Sequence, residues 1–223
     1  MTERVSDGRR RVFLVDDHPL VREWLTTLIN QQKDLVVCGE ADDAPRALQA
    51  IESLQPEVAV VDVTLTSGSG IELVKDLKRV APKVAVVVLS MHDEALYAER
   101  AFRAGARGYV MKRETTRKII AAIHEVLHGR IYVSEEYRTS LTEKLIQGKA
   151  VDSPVDLLSD RELEVFRRLG QGQETRRIGE ALGISMKTVQ VYCARIKEKL
   201  NLANATELLR EAMRWWEREG KSG

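Results

Sequence analysis

Five short, Val-rich apolar runs, set between longer stretches of helical periodicity, restrict the first part of this chain to very few folds. They span residues 12–15, 35–39, 58–61, 84–89 and 108–111. The runs are apolar on both faces, where a one-sided antiparallel strand would alternate, and that pattern suits a parallel sheet covered by helices. Residues 19–30, 43–54, 71–80, 94–104 and 116–128 lie between and after the runs and carry apolar side chains at helical spacing. Five strands alternating with five helices read as an α/β fold, a doubly wound five-stranded parallel sheet. Ligands in such sheets sit at the carboxyl ends of the strands. The residues that follow each run are therefore the first candidates for chemistry.

The pattern changes after Gly129. Residues 131–133 form a short apolar piece, 135–146 read as an amphipathic helix, and 147–154 collect Gly, Asp, Ser and Pro. Beyond Leu157 no strand-like run remains, only helical stretches at 160–169, 175–182, 187–200 and 205–218. A second, smaller all-α domain is expected, with boundaries at 10–130, 131–154 (helical spacer and linker) and 155–219. A chain of 223 residues is long enough for two cores. No apolar run approaches the roughly 20 residues of a membrane span, and the charged N-terminus lacks a signal-peptide core, so a cytoplasmic protein is expected. Cys38 and Cys193 stand alone, without CxxC spacing, which suggests neither a disulfide framework nor a zinc site. With a net charge of only +1, any nucleic-acid binding must come from local charge placement.

Two runs end in acids: Asp16 and Asp17 follow the first, and Asp62 follows the third. Brought to one sheet edge, three carboxylates repel one another and call for a cation. A hard divalent ion such as Mg²⁺ answers that need with oxygen ligands. The fourth run is followed by the hydroxyl of Ser90 and the fifth by Lys112. Singly, each of these residues also fits a turn or a helix cap. Together they suit a carboxylate that accepts a phosphoryl group, a metal and an ammonium that neutralise it, and a hydroxyl that holds the product.

In the all-α part, Ser159 with Glu162 three residues on has the form of a capping box. Residues 175–182, then Gly183 and Ser185, then 187–200 outline a helix-turn-helix, with Gly183 supplying a left-handed turn and Ser185 the next cap. Val189, Ile196 and Leu200, with Ala181 and Leu182, are expected to pack inward, leaving Lys187, Gln190, Val191, Ala194 and Lys197 outside. Lys187, Arg195, Lys197 and Lys199 face a single acid, Glu198, over residues 185–200. That patch suits a phosphate backbone, and equally a solvated helix of an interaction domain. The last helix carries Leu208, Leu209, Ala212, Met213, Trp215 and Trp216, too apolar to be solvated all round.

Residues 11–129 resemble the receiver domain of two-component response regulators, through Phe-Leu-Val-Asp-Asp-His at 13–18, Asp62 with Gly70 eight residues on, Val-Val-Leu-Ser at 87–90 and Gly-Tyr-Val-Met-Lys at 108–112. The resemblance implies that Asp62 is the phosphoacceptor, that Asp16 and Asp17 hold Mg²⁺ with Asp62, and that the backbone carbonyl of Thr64 is a further ligand. It also implies that Ser90 and Tyr109 are paired switch residues, Tyr109 moving toward the core, and that Lys112 contacts the phosphate. Leu65-Thr66 and Arg113 depart from the Met-Pro and Pro common at those positions.

Residues 157–202 resemble the LuxR-type helix-turn-helix, through Leu-Ser-Asp-Arg-Glu-Leu-Glu-Val at 158–165, the 170–172 turn, residues 178–185 and Lys-Thr-Val-Gln-Val-Tyr at 187–192. The pair of domains points to the NarL/FixJ subfamily. By that resemblance Gln190, Val191 and Ala194 face base edges, and Lys187, Thr188, Arg195 and Lys199 contact phosphates. Tyr192, Arg176, Arg177 and Gly179 depart from the usual pattern. The implied partners are a sensor histidine kinase, double-stranded promoter DNA, a second copy of the chain on activation and, as a further candidate, RNA polymerase. The surface around residues 95–107 is expected to change on phosphorylation. A dedicated phosphatase of the haloacid dehalogenase type would want a second acid two residues after the acceptor, where Thr64 stands, so no dedicated enzyme is expected. The remaining rival is a receiver controlled by a ligand or partner protein in place of phosphorylation.

Overall fold

The expected runs form one all-parallel sheet in the order β2-β1-β3-β4-β5. In the computed structural model, which describes residues 8–65, 69–91, 94–114, 116–146 and 154–219, these strands are β1 (Arg10–Val15), β2 (Leu35–Ala41), β3 (Val58–Asp62), β4 (Ala85–Ser90) and β5 (Gly108–Met111). Helices α1 (Pro19–Asn30), α2 (Ala44–Leu54), α3 (Gly70–Val80), α4 (Glu94–Ala104) and α5 (Thr116–Leu127) alternate with them. Thr66 and the linker residues 147–153 lie outside the described residues. The chain divides into two compact units, residues 1–147 and 148–223.

In the first unit β1 lies between β2 and β3, so the strand order reverses at β1 and the carboxyl ends of β1 and β3 flank the crevice where such sheets bind ligands. Leu25 and Ile29 of α1 and Ile119, Ile123 and Val126 of α5 bury one face of the sheet against Val12, Leu14, Val60 and Val110. α2, α3 and α4 pack side by side. β2 is less buried than a doubly covered strand would be, because it is the sheet edge. Its pairing with β1 slips between Val12 and Phe13, skipping Cys38. A Cβ on Gly39 would lie 2.7 Å from the Phe13 ring, so this edge closes only over a glycine.

Two expectations need correction. Residues 131–133 do not merely lead into a spacer: Tyr132 forms a parallel bridge with Gly108 alongside β5. Helix α6 (Glu135–Ile146) is not clearly amphipathic, since it buries Tyr137 while the neighbours Glu135, Glu136, Arg138 and Thr139 stay exposed.

The second unit holds a 3₁₀ turn (Pro154–Leu157) and helices α7 (Asp160–Gly170), α8 (Thr175–Leu182), α9 (Met186–Lys199) and α10 (Ala205–Glu219). The capping box of α7 forms as the spacing suggests: Ser159 N–H donates to Glu162 Oε2 at 2.7 Å, and Glu162 N–H to Ser159 Oγ at 3.4 Å. Gly183 adopts φ +64 at the end of α8, and Ser185 accepts from Thr188 N–H at 3.0 Å to start α9. Val189, Ile196 and Leu182 are buried, Leu200 is half-buried, and Ala181, expected inside, is exposed on the last turn of α8. Phe166 and Trp215 stack obliquely, their ring centroids 5.7 Å apart. α7 and α10 cross so closely at Gly170 that a Cβ there would stand 2.5 Å from the Ala212 carbonyl. Among the described residues no helix is long and apolar enough to cross a membrane. Gly170→Ala is expected to destabilise the second unit by about 1–3 kcal/mol, because a backbone carbonyl cannot rotate away; urea unfolding followed by Trp fluorescence measures it.

Candidate functional site

Parallel pairing places Val15 beside Val61 and Asp62 beside Leu89, so Asp16, Asp17, Asp62 and Ser90 arrive at one edge. Arg22, four residues after His18 on the first turns of α1, reaches back to donate to the Asp16 carbonyl at 2.6 Å and pins the end of β1. Behind Asp62, Gly70 N–H donates to the Val63 carbonyl at 2.9 Å. A Cβ on Gly70 would lie 1.8 Å from the Asp62 carbonyl. Only glycine lets α3 start against the backbone that carries the acid.

Asp16 and Asp62 are 1% and 4% exposed, and Lys112 Nζ stands between them, 2.6 Å from Asp16 Oδ2 and 2.7 Å from Asp62 Oδ2. Lys112 reaches that point because its N–H donates to the Ser90 carbonyl at 2.7 Å, tying the end of β5 to the end of β4. Thr64 N–H donates to Asp62 Oδ1 at 3.3 Å. His18 was not singled out from the sequence, yet its Nδ1 lies 2.7 Å from Asp17 and 3.2 Å from Asp16, and its N–H donates to Asp16 Oδ1 at 2.9 Å. Its place directly after the acid pair was the available signal. Among the described residues Asp16, Asp17, His18 and Asp62 each offer a ligand atom, all within 4.8 Å of one another. Asp16 Oδ2 is buried and, beyond the ionic contact with Lys112, receives no aligned hydrogen bond. Three carboxylates around one ammonium leave negative charge uncompensated, so the donor set fits a hard divalent cation.

Burial raises the Asp62 pKa to about 6 from 3.8; the Lys112 charge opposes the rise and the Asp16 charge adds to it. Burial works to lower the Lys112 pKa, but the Asp62 and Asp16 carboxylates outweigh it, and the ammonium is held above its usual value. Ser90 and Tyr109 are both fully buried. Tyr109 therefore lies in the core in this structure.

On α9, Lys187, Gln190, Val191, Ala194 and Arg195 are exposed, and Val191 is 45% exposed although apolar. Thr188 shares a 2.8 Å hydrogen bond with Ser185 at the helix cap. Lys199 is placed differently from the others. Its Nζ lies 2.6 Å from Oε2 of Glu162, which is nearly fully buried, so it clamps the end of α9 to the start of α7. Gly179 carries the turn, since a Cβ there would lie 2.8 Å from the Ile184 carbonyl. Arg176 pairs with Glu180 at 3.2 Å, while Arg177 is exposed.

Residues 12–124 match the family described as the response regulator receiver domain, and residues 156–212 match bacterial regulatory proteins of the luxR family. The response regulator GacA of Pseudomonas aeruginosa is 34% identical over 204 residues, covering 92% of this chain and 95% of that protein. The transcriptional regulatory protein UhpA of Escherichia coli is 35% identical over 206 residues, covering 92% and 98%. RcsB from Salmonella enterica serovar Typhimurium, solved bound to the promoter rprA in the presence of the phosphomimetic BeF3-, is 25% identical with a TM-score of 0.59, covering 92% and 98%.

The raised pKa of Asp62 has a consequence for stability. In the metal-free protein the folded state binds the Asp62 proton more tightly than the unfolded chain, so stability falls as pH rises through the window from 3.8 to about 6. Asp62→Asn removes that cost: below about pH 3 it is expected to be nearly neutral, and at pH 7 to stabilise by about 3 kcal/mol. Thermal unfolding of both proteins in chelator across pH checks this, and a variant that is destabilised at pH 7 would contradict it.

Proposed function

Because this chain belongs to the NarL/FixJ subfamily of two-component response regulators, a receiver domain followed by a LuxR-type DNA-binding domain, we propose that a partner histidine kinase phosphorylates Asp62 and so controls dimerisation and promoter binding. The relatives are transcriptional regulators and not dedicated enzymes. The observation that carries the Asp62 assignment is its buried carboxylate at the end of β3, 2.7 Å from the Lys112 ammonium and within 4.8 Å of Asp16 and Asp17.

The chemistry follows from that arrangement. A carboxylate oxygen of Asp62 attacks the phosphorus of a phosphohistidine; the P–N bond breaks as the new P–O bond forms, and the released imidazole takes up a proton. Lys112, already between two acids, offsets the charge that gathers on the phosphoryl oxygens. The Ser90 hydroxyl donates to one of those oxygens and shifts the population of receiver states, with Tyr109 behind it on β5. Mg²⁺, held by Asp16, Asp17, Asp62 and the Thr64 carbonyl, would supply electrostatic stabilisation of the transferring group.

On DNA, Gln190 suits an adenine edge, Val191 and Ala194 suit a thymine methyl, and Lys187, Thr188 and Arg195 lie toward phosphates. Lys199 acts through Glu162, keeping α9 in register with α7. A two-fold dimer would present two such helices to a symmetric site; Leu209 and Met213, 42% and 45% exposed on α10, are available to its contact. The proposed division is 10–130 for the receiver, 131–154 for the spacer and linker, and 155–219 for DNA binding. A promoter target places the protein in the cytoplasm, with RNA polymerase as a further partner.

Incubation with acetyl phosphate and Mg²⁺ is expected to add one phosphoryl group by intact mass and to raise affinity for a duplex enriched from a randomised pool. Asp62→Asn should show neither change; an adduct retained in the variant would sink the assignment. In salt titrations on the same duplex, Lys187→Ala should weaken all binding and reduce the slope of log K against log [salt] by about 1. Gln190→Ala should keep the slope and lose about 1–3 kcal/mol of discrimination at one base pair. Equal behaviour of the two variants would overturn their roles.

A further inference from the structure

The segment between α5 and α6 is held from two directions. Tyr132 N–H donates to the Arg107 carbonyl at 2.9 Å, and the Tyr132 carbonyl accepts from Tyr109 N–H at 3.0 Å, so this residue extends the sheet beside β5. Two residues later Ser134 N–H donates to Glu94 Oε1 at 2.9 Å. The Ser134 hydroxyl accepts from Tyr137 N–H at 3.0 Å and caps α6. Glu94, Ser134 and Tyr137 are 4%, 6% and 6% exposed, so water takes little part in these bonds.

Glu94 is an unexpected residue in that position. Burying a carboxylate is costly unless a cation or several donors compensate it. Among the described residues Glu94 makes no ion pair, and the donors it meets are the neutral backbone N–H and hydroxyl of one residue, Ser134. A neutral acceptor could satisfy that N–H at lower cost to stability. Burial pushes the Glu94 pKa up, and the hydrogen bonds from Ser134 oppose the rise.

Its place in the chain says what would move it. Glu94 is the first residue of α4, four residues after Ser90 at the end of β4. Tyr109, on β5, donates its N–H to Tyr132. Of the two residues read as phosphate-dependent switches, Tyr109 bonds directly to the three-residue piece 132–134, and Ser90 stands four residues before the glutamate that holds it. That piece starts the helix whose chain runs on to the DNA-binding unit.

We propose that Glu94 is a positioning residue that couples the receiver to α6: by holding Ser134 it makes the start of α6 follow the carboxyl ends of β4 and β5. The coupling rests on the Asp62 reading above, and it differs from a packing role in what its loss does. A packing residue supports both phosphorylation states alike, whereas a coupling residue changes the difference between them.

The test uses the full chain with acetyl phosphate, Mg²⁺ and the enriched duplex. Glu94→Ala is expected to take one phosphoryl group like wild type. Amide exchange at Ser134 and Tyr137 should be about tenfold faster or more, and the ratio of DNA affinities with and without phosphodonor should fall at least about threefold. Glu94→Gln, which keeps an acceptor for Ser134 N–H, should restore most of that ratio. If Glu94→Ala does not fold, Glu94→Asp, one methylene too short to reach Ser134, replaces it with the same expectation. A phosphorylated variant whose affinity ratio equals that of wild type overturns the coupling, and so does an equal loss of affinity in both states. A wild type that takes up no phosphoryl group overturns the Asp62 assignment, and the coupling with it.

Discussion

The repulsion among Asp16, Asp17 and Asp62 is the constraint around which the first unit is arranged. A parallel sheet with β1 beside β3 cannot avoid bringing the acids that follow these strands together, and burial of Asp16 and Asp62 at 1% and 4% exposure sharpens the cost. Lys112 offsets part of it from the end of β5, at 2.6 and 2.7 Å from two of the acids. Burial, with the Asp16 charge adding to it, still pushes the Asp62 pKa up to about 6. A site that holds excess negative charge beside one ammonium is poised to take up a divalent cation. The fold tolerates the strain because the Val-rich strands behind it are buried on both faces.

Backbone proximity is the second condition for that site. The Gly70 position leaves 1.8 Å between an added Cβ and the Asp62 carbonyl, so the start of α3 braces the strand end that carries the acid. Arg22 braces the other strand end through the Asp16 carbonyl. The same logic recurs in the second unit, where Gly170 admits α10 against α7 and Gly179 admits the turn before α9. There α9 is also held by charge: Lys199, its last residue, reaches Glu162 in the capping box of α7. One glutamate thus satisfies the Ser159 N–H, its own helix start and a lysine 37 residues away.

Several features of this protein were set by local sequence. Strand and helix positions followed from periodicity, because runs apolar on both faces and apolar residues at three- and four-residue spacing act through each segment's own burial. The capping box at Ser159, the left-handed Gly183 and the cap at Ser185 were readable for the same reason, since their partners lie within a few residues. Asp16, Asp17, Asp62, Ser90 and Lys112 could be nominated because a parallel sheet sends every strand's carboxyl end to one edge.

Contacts between residues far apart in the chain were decided by tertiary structure alone. Nothing near Lys199 announces Glu162; the two meet because α7 and α9 cross there. Tyr132 joined the sheet edge, and Ser134 met Glu94 forty residues away, through pairings that no periodicity encodes. Ala181 turned outward and Tyr109 inward for a similar reason: side-chain burial depends on which neighbour arrives, and the sequence of one helix or strand does not say which that will be. The nature of the acidic site was therefore local information, while its electrostatic tension and the contacts that hold the start of α6 came into being only when the strands were assembled.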